Sequence, residues 1–85
     1  MYRIAVYHNP KGRTPQPHSE EDLGNKREAI RRARKLLRRH WGFTGADVKL
    51  VRVSVRADKR LLYQARIDEE SALNGERRMI HDEEL

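Results

Sequence analysis

Cysteine is absent from the 85 residues, which excludes disulfides and thiolate zinc sites. No apolar run approaches the roughly 20 residues that span a bilayer, and residue 2 already belongs to an alternating pattern that leaves no space for an apolar leader; a cytoplasmic protein without membrane contact is expected. Aromatic residues supply only 6% of the chain, and no aromatic-rich run of the kind RNA-recognition sheets use for base stacking is present. The glycines Gly12, Gly24, Gly42, Gly45 and Gly75 stand singly, so they assemble no P-loop, dinucleotide fingerprint or nucleophile elbow. His8, His18, His40 and His81 show no metal-ligand spacing, and no metal or other cofactor is expected. Asp47 and Lys49 have the spacing of half a metal-dependent nuclease motif, but the second carboxylate is missing. The chain therefore reads as non-enzymatic.

Acid is nearly missing from residues 25–41. Lys26, Arg27, Arg31, Arg32, Arg34, Lys35, Arg38 and Arg39 stand there against Glu28 alone, a net +7 where the whole chain carries +6. Arg27/Arg31, Arg31/Lys35, Arg34/Arg38 and Lys35/Arg39 are like-charge i,i+4 pairs, each costing about 0.2–0.5 kcal/mol in a helix. Interleaved acids would remove that repulsion, so the pattern points to an anionic partner.

The same segment has helical periodicity. Ala29, Ile30, Ala33, Leu36, Leu37 and Trp41 share an arc of about 140°, the width of a face packed on a sheet. Asn25 with Glu28 predicts an N-terminal capping pair, and Gly42 a glycine C-cap. Residues 2–8, 51–57 and 61–67 alternate in the two-residue period of strands, with 57–60 as a hairpin turn. Residues 9–18 hold all three prolines and read as a loop, and residues 19–22 as a capped turn. Val48 and Leu50 are out of phase with Val51, which suggests a bulge.

The expected fold is α+β: a single β-α-β-β domain over residues 1–67, its three-stranded sheet covered on one face by the basic amphipathic helix. A right-handed crossover would make the first two strands parallel. Residues 68–85, with seven acids and two arginines, read as an acidic C-terminal tail, disordered or forming a short helix near residues 76–81.

The leading expectation is a nucleic-acid-binding module, for DNA or RNA, using Arg27, Arg31, Arg32, Arg34, Lys35, Arg38 and Arg39. The alternative is a protein–protein interaction module, such as a phage-type modulator of a host protein. It would meet an acidic protein surface, or act through a strand edge or the open sheet face with Arg3, Tyr7, Arg52, Arg56, Leu62 and Arg66. A chain this short, with an uncovered sheet face, also predicts a homodimer.

Overall fold

The computed structural model describes residues 1–8, 16–44, 47–49, 51–76 and 78–85, excepting the side chains of residues 42–44, 47–49 and 69. The strands β1 (Tyr2–His8), β5 (Val51–Ala57) and β6 (Arg60–Ile67) form where apolar and polar residues alternate. The helix α1 (Lys26–His40) starts where the Asn25 side chain accepts the Glu28 N–H at 3.0 Å. Its buried face is Ala29, Ile30, Ala33, Leu36 and Leu37, with Trp41 packed partly against the core. These residues close over Ile4, Val6, Val51, Val53, Val55, Tyr63, Ala65 and Ile67 of the sheet.

The sheet is antiparallel and has five strands, not three, in the order β2-β1-β5-β6-β7. The two additional strands are β2 (Ser19–Leu23) and β7 (Met79–Glu84), which form the edges. Residues 19–22 are thus an edge strand and not a capped turn. In the acidic C-terminal segment, the helix α2 lies earlier than expected, at Glu69–Leu73, and β7 pairs with β6. Ala72 of α2 is fully buried and Met79 of β7 packs against the core.

The strand order also corrects the expected crossover. β1 and β5 are antiparallel because β2 reverses the chain before α1 begins. The helix then links β2 to β5, which run in the same direction on either side of β1, a split β-α-β arrangement. Gly42 is not the helix cap: Trp41 ends α1 in an extended conformation, and Gly42 opens the short hairpin β3 (Gly42–Thr44) and β4 (Asp47–Lys49). Leu50, much of the segment expected as a loop, and the side chains of Asp47, Val48 and Lys49 lie outside the described residues.

Bulges set the register on the β7 side. Arg66 pairs with Ile80 but Gln64 with Glu83, so β7 carries one extra residue, and His81 takes it up with a φ of 58°. The extra residue turns Asp82 toward the helix side of the sheet. A second irregularity, between the Val55–Tyr63 and Arg56–Leu61 pairs, leaves Leu62 as the additional residue of β6, 8% exposed. Leu62 therefore offers little apolar surface to a partner.

Candidate nucleic-acid interface

Each edge strand carries three consecutive acids, Glu20–Glu21–Asp22 in β2 and Asp82–Glu83–Glu84 in β7. Side chains of a strand alternate between faces, so each run divides. On the helix side, Glu21 accepts from Arg32 Nε at 2.7 Å, Asp82 from Arg34 Nε at 2.8 Å, and Glu84 lies 3.3 Å from Lys26 Nζ. On the opposite face, Asp22 accepts from Arg3 Nε at 3.1 Å and Glu20 lies 3.5 Å from another Arg3 nitrogen. The two edges thus hold the two flanks of α1.

At 100° per residue, Arg27, Arg38, Arg31, Lys35 and Arg39 fall within an arc of about 120° whose centre is opposite the buried stripe. All five are exposed, and none meets an acid within salt-bridge distance among the described residues. The seven candidate helix positions therefore divide: Arg32 and Arg34 serve as internal ties, and five form a basic ridge whose arc also holds one acid, the exposed Glu28. From Arg27 to Arg38 the ridge rises about 17 Å at 1.5 Å per residue.

Asp82 anchors the tie on the β7 side. It also accepts the Tyr63 hydroxyl proton, while the Arg34 guanidinium lies 5.5 Å from the centre of the Tyr63 ring. Burial and then the Asp82 carboxylate push the Tyr63 hydroxyl well above its ordinary value. For Asp82, burial acts upward, but hydrogen bonds from Arg34 and Tyr63 and the guanidinium charge outweigh it and hold the carboxyl below the usual range. A depressed folded value stabilises the fold above the unfolded value, and this contribution is lost as pH falls through the folded one. Tm should therefore drop on acidification below about pH 4, and less so in Asp82→Asn. Tyr63→Phe removes a hydrogen bond to a charged acceptor and should cost about 1.5–3 kcal/mol at neutral pH, read from denaturant unfolding.

The sheet face opposite α1 carries both signs of charge, unlike the second basic surface expected. Cross-strand pairing sets Glu20, Ala5, Ser54, Gln64 and Glu83 in one row and Tyr7, Arg52, Arg66 and Ile80 in another. Arg3, Arg52, Arg56 and Arg66 share this face with Glu20, Asp22 and Glu83, so its balance is near +1. Arg3 is neutralised by β2, and Arg52 lies over the Tyr7 ring at 4.6 Å, which occupies the aromatic face a base would stack on.

No protein-family model, curated protein or solved structure matches this chain. Among the described residues, no helix is long and apolar enough to cross a membrane.

Spatial grouping also brings together residues that their spacing keeps apart. His8, His18 and His40 converge at one end of the sheet, with one ring nitrogen from each within 4.8 Å of the others. The available signal was phase: His8 continues the Ile4 and Val6 side of β1, and His40 points toward the sheet from the last turn of α1.

Proposed function

We propose that this protein is a non-enzymatic nucleic-acid-binding module that grips the phosphate backbone with the outward ridge of α1. The observation that carries this reading is the division of charge on the helix. The edge acids are committed to Arg32, Arg34 and Lys26, while Arg27, Arg31, Lys35, Arg38 and Arg39 face solvent beyond salt-bridge distance of any acid among the described residues, five cations against the single Glu28 on that side of the helix. A role in solubility alone does not require so many cations on one side. Each strand of duplex DNA carries a charge per 3.4 Å, so a ridge of about 17 Å faces about five phosphates. The ridge has no Asn, Gln or Ser to read base edges, which makes binding largely independent of sequence.

The test compares ridge with flank in anisotropy titrations of a labelled 20-base-pair duplex. Arg31→Gln should weaken binding about eightfold at 0.1 M salt, the contribution of one phosphate contact. Arg32→Gln, which loses an internal tie, should stay within about twofold. Equal losses, or a larger loss in Arg32→Gln, would reject the ridge as the footprint.

A protein partner or second subunit on the open sheet face is the other reading, favoured by Ser54 Oγ and Arg52 Nε, which are buried there without hydrogen-bond partners. Sedimentation from about 1 to 100 μM, the range in which a contact of roughly 6–8 kcal/mol dissociates, tests the second-subunit form of this reading. A monomer throughout removes it.

A further inference from the structure

We propose that His8, His18 and His40 form a binding site for a first-row transition-metal dication, with zinc as the ion best suited to three imidazoles. The three residues come from separate parts of the fold: His8 ends β1, His18 immediately precedes β2, and His40 closes α1. The fold holds them together through the N–H of His18, which donates to the Val6 carbonyl at 2.6 Å, and through the packing of α1 on β1. His8 Nε2 and His40 Nδ1 are 2.9 Å apart. The His18 ring is stacked on His8, with centroids 3.8 Å apart and 19° between the planes.

These distances suit a metal after small side-chain movements. Zn–N bonds of about 2.0–2.1 Å in a tetrahedral site put the nitrogens about 3.3 Å apart. The 2.9 Å pair is slightly tighter than this, and the 4.8 Å limit on the trio is wider. Closing the difference requires the His18 ring to tilt away from its stack, which its exposed position allows. Three imidazoles leave a fourth coordination position for water or another small ligand. The C-terminal carbonyls of α1 add negative potential beside His40, while Arg38 and Arg39 in the same turn oppose it, so the histidine nitrogens must supply most of the attraction.

Calorimetric titration of the full-length protein with Zn²⁺ alone should show one equivalent bound with a micromolar or lower Kd. His18→Ala is the decisive variant, because its exposed side chain lies outside the hydrophobic core, and circular dichroism is the check that it folds. Loss of outer-shell partners costs about 10–100-fold in metal affinity, so loss of a ligand should cost at least about 100-fold. Full-length protein substituted with Co²⁺ should show visible absorption bands that disappear in His18→Ala. His81→Ala, on β7 and outside the trio, should bind as tightly as the unsubstituted protein. Absence of binding at 1 mM Zn²⁺ by order of magnitude, or affinity unchanged in a folded His18→Ala, overturns the assignment; in the second case the ion sits on surface carboxylates.

Discussion

A chain ending at Ile67 is expected to lose about 16–32 °C of thermal stability, although the removed residues have the composition of a dispensable acidic tail. The cut removes Ala72 from a fully buried position and Met79 from the edge of the core, together worth about 2 kcal/mol of apolar burial. It also removes the carboxylate that receives the Tyr63 hydroxyl and the Arg34 guanidinium, about 2 kcal/mol more. β6 becomes an edge strand, with Tyr63 to Ile67 no longer paired on that side. At 0.05–0.15 kcal/mol per residue, an 85-residue domain holds only about 4–13 kcal/mol, so a loss of about 4 kcal/mol leaves it marginal. In a domain of this size each kcal/mol shifts Tm by about 4–8 °C. Calorimetry checks this directly; a cooperative transition within a few degrees of the full chain would show that α2 and β7 contribute little.

The second large effect is on affinity. Arg31→Ala with Arg38→Ala removes two ridge contacts, each scaling with salt to a power of about −0.9, so duplex binding at 0.1 M salt should fall about 60-fold. The loss should shrink toward high salt, where counterion release contributes nothing. Both side chains are exposed and neither forms a salt bridge to a sheet edge; the Arg38 charge adds only the last of the influences that hold the Asp82 carboxyl low, so the fold should lose little stability. Unchanged affinity in this pair would place binding away from α1.

The parts of the fold that were legible in the sequence are those written in apolar periodicity: Ile4 and Val6 in β1, the stripe from Ala29 to Leu37, and the Val51–Val53–Val55 and Tyr63–Ala65–Ile67 alternations. The edge strands were not legible because their alternation is between acids that serve opposite faces. Glu and Asp are poor strand formers, and the bases that select a strand for them lie far away, Arg34 being 48 residues from Asp82. Arginine clustering marked the helix, and its 100° phase sets Arg32 and Arg34 beside the buried stripe, but the edge acids that tie them lie in strands that apolar periodicity does not reveal. The histidine trio was hidden for the same reason: His8 and His40 are 32 residues apart, and no local spacing encodes their meeting.

The most direct measurement of the central claim is duplex affinity as a function of salt, from about 0.05 to 0.4 M, for the unsubstituted full-length protein. Five ridge contacts predict a slope of log affinity against log salt near −4 to −5. A slope near zero, or no measurable binding at the lowest salt, would contradict a phosphate-gripping ridge.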